Sequence, residues 1–263
     1  MTGGIVALRD LNVDPDSLDS VIEVVDIHKY FGGLKALKGV SFHVKPREVL
    51  GIIGPNGAGK TTLFNVITGF LRPDRGRVIY LGHDITGRRP HYLSKLGIAR
   101  TFQIAKPFEG MSTLENVLIG LLFAKRGRNG FRVGMSDLVQ EARRILEAVG
   151  LEHKADSPAG HLTVVERKRL ELARVLAIEP TVLLLDEVMA GLSSQEVEWE
   201  VDLLKRIKEE KDLTVVMIEH VMKAIMSFSD RLVVLHHGEK IAEGRPEEVA
   251  RDPKVVEAYL GED

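Results

Sequence analysis

The chain has 263 residues, a formal net charge of −2 and no cysteine. This length can bury one large core with an inserted subdomain, and the absence of cysteine excludes disulfides and thiolate metal sites. The near-neutral charge gives no broad electrostatic reason to bind nucleic acid, so we expect no nucleic-acid partner. No apolar run approaches the roughly 18–20 residues that span a bilayer, and residues 14–19 are acidic and polar rather than signal-like. The sequence therefore predicts a cytoplasmic chain.

The first part of the chain predicts an extension followed by strands. Residues 1–19 predict a loose N-terminal extension, and residues 20–263 predict a single domain. Segments 21–27 and 37–44 alternate as strands do and predict an antiparallel cap. The apolar segment 49–53 predicts a buried parallel strand, which leads directly into a glycine-rich loop.

That loop matches the phosphate-binding pattern Gly-x-x-x-x-Gly-Lys-[Ser/Thr], and a helical segment follows it. Glycines let backbone N–H groups turn toward phosphate oxygens, and a helix N-terminus adds partial positive charge. We expect Lys60 to reach the β- and γ-phosphates and Thr61 to ligate Mg²⁺. A glycine turn that binds nothing is the alternative, and the flanking strand and helix weigh against it. The predicted nucleotide-binding residues are Gly54, Asn56, Gly57, Gly59, Lys60, Thr61 and Thr62.

Residues 88–160 predict a helical subdomain inserted into the fold. Segments 111–123 and 137–149 have apolar residues at helical spacing, and the stretch 126–134, rich in glycine and arginine, predicts the loop between them. Gln103 lies near the start of this insert. Its neutral amide can bind both Mg²⁺ and water and release them when the loop moves, so it is a candidate catalytic and metal-binding residue.

A capped helix is predicted to begin at Thr163. Threonine followed three residues later by Glu166 forms a capping box, and the helix should continue to about Ile178, before Pro180. Its N-terminus can present N–H groups and a positive dipole to a phosphate. An ordinary capped surface helix is the alternative.

Two further apolar segments end in polar residues. Residues 181–185 lead into Asp186 and Glu187, and residues 213–218 lead to His220 two positions later. Downstream of a phosphate loop, Asp186 is predicted to hold Mg²⁺ through water, and Glu187 to orient or deprotonate the attacking water. His220 is predicted to contact the γ-phosphate. A solvated turn and an ordinary surface histidine are the alternatives.

The C-terminal part predicts two short strands, 232–236 and 240–243. Two helices are predicted to begin near Pro246 and Pro253, because proline suits the first turn of a helix.

Together these motifs resemble the ATP-binding subunit of ABC transporters over residues 20–261. The phosphate loop matches the Walker A motif, Gln103 the Q-loop and residues 183–187 the Walker B motif with its catalytic glutamate, while His220 matches the switch histidine. The resemblance implies an α/β fold: a P-loop NTPase core of the ABC ATPase type with an antiparallel β subdomain and an inserted helical subdomain. It also implies ATP and Mg²⁺ as cofactors.

Within that family, segments 31–37, 97–103, 111–117 and 190–192 are similar to the subunits that energise branched-chain amino acid importers. Phe31 falls where the family stacks an aromatic ring on adenine, although the adjacent Tyr30 is a second candidate. One motif departs from the family. The usual signature Leu-Ser-Gly-Gly-Gln aligns with residues 162–166, where both glycines are valines.

The resemblance implies two ATPase subunits, in a homo- or heterodimer, that sandwich ATP between one phosphate loop and the partner's signature helix. Thr163 would then contact ATP across the dimer. The implied partners are membrane permease subunits and, indirectly, a solute-binding protein, which places the chain on the inner face of the cell membrane. The implied function is ATP hydrolysis that drives solute import. A nucleotide-sensing regulatory subunit with weak turnover and a non-transport ABC ATPase are the alternatives.

Overall fold

The computed structural model describes residues 18–102, 106–126 and 134–260. In this part of the chain the strands are, in order, β1 (Ile22–Phe31), β2 (Leu34–Val44), β3 (Val49–Ile53), β4 (Arg75–Tyr80), β5 (His83–Asp84), β6 (Ile98–Arg100), β7 (Val182–Asp186), β8 (Thr214–Ile218), β9 (Arg231–His236) and β10 (Glu239–Gly244). The α-helices are α1 (Lys60–Ile67), α2 (Pro90–Lys95), α3 (Thr113–Arg126), α4 (Met135–Ala148), α5 (Val164–Leu176), α6 (Ser194–Lys211), α7 (Met222–Phe228), α8 (Pro246–Val249) and α9 (Pro253–Leu260).

A four-stranded antiparallel sheet, in the order β2-β1-β4-β5, covers one side of the domain. Ile22 pairs with Val44 on β2 and with Tyr80 on β4, and all three side chains are buried. Their burial against α1 and the second sheet forms one of two apolar cores. The sheet confirms the predicted antiparallel subdomain.

The second sheet has six strands in the order β10-β9-β3-β8-β7-β6, and its strands are parallel except for β10. Strands β3, β7 and β8 are buried along their full length, which explains why each is a continuous apolar run in the sequence. Because these strands are parallel, their carboxyl ends share one edge, and ligands of open α/β sheets bind at such an edge.

The helices that lie beyond β6 form a separate layer. Helices α3 and α4 contact each other and α5, and together they bury the larger apolar core against the parallel sheet. The predicted insert 88–160 also contains β6, and this strand belongs to the core sheet because Ile98 pairs with Val182. Helix α3 begins at Thr113, after a capping box in which Ser112 and Glu115 exchange hydrogen bonds of 2.7 and 3.1 Å.

The predicted helix from Thr163 ends slightly earlier than its sequence suggests, at Leu176, and Glu179 turns the chain with a positive φ of 53° before Pro180. Most of the predicted loop 126–134 lies outside the described residues, as do residues 1–17 of the predicted extension. None of the helices in the described ranges is both long and apolar enough to cross a bilayer.

Candidate active site

The phosphate loop connects β3 to α1 and packs against backbone on both sides. A Cβ atom on Gly54 would lie 2.0 Å from the carbonyl oxygen of Leu235, and one on Gly59 would lie 2.7 Å from that of Ala36. Both glycines also have positive φ values, 147° and 101°. Glycine has no Cβ atom and tolerates a positive φ, so it satisfies both restrictions. The loop therefore packs closely against the backbone of β9 and β2.

Lys60 lies at the centre of this loop and is buried. Its ammonium group donates hydrogen bonds to the carbonyl oxygens of Gly54 and Pro55, at 2.5 and 2.8 Å. The side chain therefore crosses the loop and places a positive charge inside a ring of backbone groups. Such an arrangement attracts an anion with several oxygens, as the sequence motif predicts.

A cavity of about 570 Å³ opens beside the loop. All the loop residues that the sequence assigned to the nucleotide, except Gly54, line it: Asn56, Gly57, Gly59, Lys60, Thr61 and Thr62. Phe31 also lines the cavity, with 46% of the residue exposed. Tyr30 does not line it, and its hydroxyl lies 3.2 Å from Nδ1 of His28. Of the two adjacent rings, Phe31 is the one that a base in this cavity could stack on.

Glu187 and His220 also line the cavity. Glu187 has a positive φ of 50°, and its backbone N–H donates to the carbonyl oxygen of Ile218 at 2.9 Å. This turn directs the side chain toward the tip of β8, where Oε1 lies 2.8 Å from Nε2 of His220. The structure thus joins two sequence-predicted residues that follow different strands and places both in the lining of the cavity beside the phosphate loop.

Asp186 occupies a different position, one residue earlier and fully inside the edge of the sheet. Its Oδ2 accepts a hydrogen bond of 2.6 Å from a terminal nitrogen of Arg100, and its backbone N–H donates to Oγ1 of Thr101 at 3.2 Å. Asp186 lines a second cavity of about 860 Å³, and Thr61 lines both cavities. Two of the three residues predicted to ligate Mg²⁺, Thr61 and Asp186, therefore line the same cavity.

The chemistry of these residues fits Mg²⁺. A hydroxyl and a carboxylate are hard oxygen donors, and Mg²⁺ is commonly bound by one or two carboxylates, water and substrate phosphates rather than by a cage of protein ligands. The described part of the chain contains no cluster of three or more acidic, histidine or cysteine side chains that could hold a metal. Gln103, the third predicted metal ligand, lies outside the described residues.

Thr163 is in place at the N-cap of α5. Its hydroxyl accepts from the backbone N–H of Glu166 at 3.3 Å, and the Glu166 carboxylate accepts from the Thr163 N–H at 2.8 Å. The latter hydrogen bond holds the pKa of Glu166 below its usual value. Thr163 does not line the nucleotide cavity of its own chain, and the neighbouring Val164 is 72% exposed. The end of α5 is therefore available to a second molecule.

Sequence reasoning missed two side chains that contact the segment immediately after Glu187. Buried Glu219 accepts from the backbone N–H of Met189 at 2.7 Å, and burial raises the pKa of its carboxyl. Lys168 on α5 donates to the carbonyl oxygen of Ala190 at 2.6 Å, and burial lowers its pKa. These two contacts fix the segment that follows Glu187. The available signal was the position of Glu219 immediately before His220.

Glu171 was also missed. This residue of α5 accepts from the backbone N–H of Phe102 at 2.7 Å, directly before the Gln103 segment. Burial raises the pKa of Glu171 to about 7, and the Phe102 N–H and the nearby Arg174 only partly offset this effect. One hydrogen bond thus connects the helix that begins at Thr163 to the start of the predicted Q-loop.

Comparison with known proteins places the chain in one family. The ABC transporter family profile matches residues 37–190, more than half of the chain, and a profile for branched-chain amino acid ATP-binding cassette transporters matches residues 239–263. The high-affinity branched-chain amino acid transport ATP-binding protein BraF of Pseudomonas aeruginosa is 38% identical over 250 residues, which cover 92% of this chain and 98% of that protein. A probable branched-chain amino acid transport ATP-binding protein LivG of Methanocaldococcus jannaschii is 40% identical over 258 residues, covering 92% of this chain and 98% of that protein.

Solved structures agree with the family profiles. The ADP conformation of MJ1267, an ATP-binding cassette of an ABC transporter, is 38% identical and superposes with a TM-score of 0.82 over 92% of this chain and 99% of that one. Together with the phosphate loop and the Glu187–His220 pair, these similarities confirm the expected P-loop fold. The chain belongs to the ABC transporter family, as one of its ATP-hydrolysing, nucleotide-binding chains.

Proposed function

We propose that this chain hydrolyses Mg-ATP as the energising subunit of an importer for branched-chain amino acids. The observation that carries the proposal is that Glu187 and His220 line the same cavity as the phosphate loop. The substrate class follows from the relatives, since those named above are branched-chain amino acid transport proteins. The match of a profile for the same transporters at residues 239–263 supports it independently of the nucleotide motifs.

Binding begins with the phosphate loop and Phe31. The backbone of the loop and the N-terminus of α1 receive the phosphates, and the ammonium group of Lys60 exchanges its contacts with loop carbonyls for phosphate oxygens. The exposed ring of Phe31 provides a flat apolar surface for the adenine base. Bound Mg²⁺ would supply positive charge to the phosphate oxygens, with Thr61 and Asp186 as the described residues that hold it.

Hydrolysis is an in-line attack of water on the γ-phosphorus. The water oxygen forms the new bond, the bond to the bridging oxygen of ADP breaks, and the water proton passes to a base. Glu187 is that base or the residue that orients the water, because its carboxylate lies on the cavity wall opposite the loop. His220 holds the carboxylate at 2.8 Å in this structure and would contact the γ-phosphate when the cavity is filled.

A second ATPase subunit completes the site. Thr163 and the exposed N-terminus of α5 do not line the cavity of their own chain, yet they present a hydroxyl and helix N–H groups to solvent. In a two-fold dimer this end would approach the partner's phosphates. A related cassette, MJ0796, forms a dimer in a post-hydrolysis state bound to ADP and Pi, at 27% identity and a TM-score of 0.75 over 86% of this chain and 98% of that one.

The permease subunits are proposed to dock at the 860 Å³ cavity, between α3 and the phosphate-loop helix. Exposed apolar side chains surround it: Phe70, Phe102, Ile119 and Phe123. Phe108 lies nearby, and the guanidinium carbon of Arg174 is 4.7 Å from the centroid of its ring. An apolar cleft with a rim of aromatic and basic residues fits a short helix of a membrane protein. We propose that this docking holds the chain on the inner face of the membrane, with a solute-binding protein as an indirect partner.

The relatives favour transport over a regulatory subunit or a non-transport ATPase, because their names are those of transport ATP-binding proteins. The direct test is steady-state phosphate release by the purified chain, with and without co-purified permease subunits. Turnover that the permeases stimulate supports the proposal. Tight ATP binding with the same negligible turnover in both samples would instead identify a nucleotide sensor.

A further inference from the structure

Building on the proposed function, we propose that Arg100 is a positioning residue for Mg²⁺. Its guanidinium fixes the separation between Thr61 and Asp186, the two described residues that would hold the metal. Neither the phosphate loop nor the strand that ends at Asp186 contains Arg100, which lies at the end of β6. The inference rests on its three hydrogen bonds and on its burial.

The guanidinium joins two elements that carry the metal ligands. One terminal nitrogen donates to Oδ2 of Asp186 at 2.6 Å, at the tip of β7. The other donates to Oδ1 of Asn65 at 2.7 Å and to Oγ1 of Thr68 at 3.2 Å, both on or immediately after α1. A single planar group therefore links the strand of one metal ligand to the helix of the other.

The geometry of α1 turns this link into control of the Thr61 position. Residues four and seven apart lie on one face of a helix, so Asn65 and Thr68 share a face with Thr61. When Arg100 holds that face at a set distance from Asp186, it also sets how far the Thr61 hydroxyl lies from the carboxylate. The hydrogen bond to Oδ2 also restrains the orientation of the Asp186 carboxylate that would hold the metal.

Stability alone does not account for an arginine at this position. Its side chain is buried, and Nε has no hydrogen-bond partner in the described part of the structure. The guanidinium carbon lies 5.4 to 5.9 Å from the ring centroids of Phe64, Phe70 and Phe102. Burying a charge in such surroundings is costly, and apolar residues of similar volume often serve as well or better. The retained charge is explained by the geometry that it imposes on Asp186 and α1.

Lysine could not replace Arg100 in this role. One terminal nitrogen of the planar guanidinium reaches Asp186, and the other reaches both Asn65 and Thr68, so the rigid fork sets the distance between the two elements. A lysine side chain keeps the positive charge, but its donors all rotate about a single nitrogen on a flexible stem, so it cannot hold Asp186 and α1 at a set separation. Arg100→Lys therefore separates geometry from charge, since the repulsion between a cation here and Mg²⁺ is retained.

The test measures metal binding without catalysis. Mn²⁺, as a probe for Mg²⁺, is titrated into the ADP-saturated protein, and free Mn²⁺ is followed by electron paramagnetic resonance. We expect the Mn²⁺ Kd to rise about tenfold in Arg100→Lys, as for other residues that orient metal ligands. ADP affinity in EDTA should change less than about twofold, because the phosphate loop is untouched. Asn65→Ala, which removes the shorter of the two contacts with α1 and leaves the contact with Thr68, should give a smaller rise.

Arg231→Lys is the matched control. Arg231 likewise pairs with a carboxylate, donating to Glu48 at 2.7 and 2.9 Å, and is partly buried, but it lies at the start of β9, away from the ligand edge. Its Mn²⁺ Kd should equal that of the wild type. If Arg100→Lys loses cooperative thermal unfolding, Asn65→Ala decides the test.

Two outcomes overturn different conclusions. In the first outcome, the wild type binds Mn²⁺ more tightly than free ADP does, and the Mn²⁺ Kd is unchanged in folded Arg100→Lys and in Asn65→Ala. This result overturns the role of Arg100 and leaves the proposed function intact. A wild type that binds no ADP, or that adds nothing to the Mn²⁺ affinity of ADP, overturns the proposed site itself.

Discussion

Nε2 of His220 lies 2.8 Å from Oε1 of Glu187, and this contact joins the tips of β8 and β7 in the lining of the cavity that also contains the phosphate loop. The imidazole holds the carboxylate in one orientation. Under the proposed function, a γ-phosphate oxygen that bound the imidazole would release Glu187 to act on water. The pair would then connect the arrival of the γ-phosphate with the activation of the base.

Glu187→Gln should bind Mg-ATP and hydrolyse it about 10²–10⁴ times more slowly, because an amide cannot accept the water proton. Phosphate release by the purified variant, alone and with permease subunits, measures the effect. Glu198→Gln is the control, since its exposed carboxylate pairs with Lys223 and is remote from the cavity. Wild-type turnover in Glu187→Gln would contradict the assignment.

Lys60→Ala should weaken ATP binding about 10- to 100-fold, because it removes a charged partner of the phosphates. Phe31→Ala should weaken ATP binding about fivefold, because it removes one surface on which the base can stack. Titration of a fluorescent ATP analogue measures both. Tyr30→Ala serves as the comparison, as its ring is adjacent but outside the cavity. Normal binding by Phe31→Ala with impaired binding by Tyr30→Ala would assign adenine to the other ring.

Thr163→Ala should reduce ATP-dependent dimerisation in a Glu187→Gln background. The substitution removes a cap worth about 1 kcal/mol and a hydroxyl that would reach the partner's ATP. Light scattering with and without ATP gives the dimer fraction. Restoring glycine at both positions 164 and 165 should tighten the same dimer, because β-branched side chains no longer limit the approach of a ligand to the backbone. If both variants dimerise like the Glu187→Gln parent, the N-terminus of α5 does not contact the partner's ATP and is only a capped helix end.

Cysteines at positions 108 and 111 should cross-link to a permease subunit in the assembled transporter. Phe108 is exposed, and Met111 lies close to it at the start of the helical layer. A cysteine in place of the exposed Trp199 on α6 provides a surface control of equal accessibility. Mass spectrometry of the cross-linked peptides identifies the contact. Cross-links from position 199 alone would move the docking site elsewhere.

Stability should fall with rising pH through the titration of Glu171. Its folded pKa of about 7 exceeds the reference value of 4.5, so the folded chain binds the extra proton between these values and loses that advantage as the pH rises toward 7. Glu171→Gln keeps an acceptor for the Phe102 N–H and cannot ionise. Relative to the wild type it should be similarly stable at low pH and more stable, by at most about 3 kcal/mol, at pH 8. Urea unfolding at both pH values measures the difference, and an equal effect at each would contradict the titration.

Local motifs predicted the parts of the site that are contiguous in the chain. The phosphate loop and the capping box at Thr163 each depend on a few consecutive residues, and both are present in the structure. The partners of Arg100, Glu219 and Lys168 could not be read in this way, because their contacts connect residues 86, 30 and 22 positions apart. Strand β6 has only three residues, too short for a recognisable period, and its pairing with β7 is what carries Arg100 to Asp186.

Thr61 lies on the wall shared by two cavities, one that faces the phosphate loop and one that opens between α1 and α3. A protein segment inserted into the larger cavity would stop within one side chain of the nucleotide. Under the proposed function, a permease segment in the larger cavity would displace the first turn of α1 and so shift the Thr61 hydroxyl relative to Asp186. Loss of a phosphate would move the same turn in the opposite sense, so mechanical work and hydrolysis would be coupled through the position of one threonine.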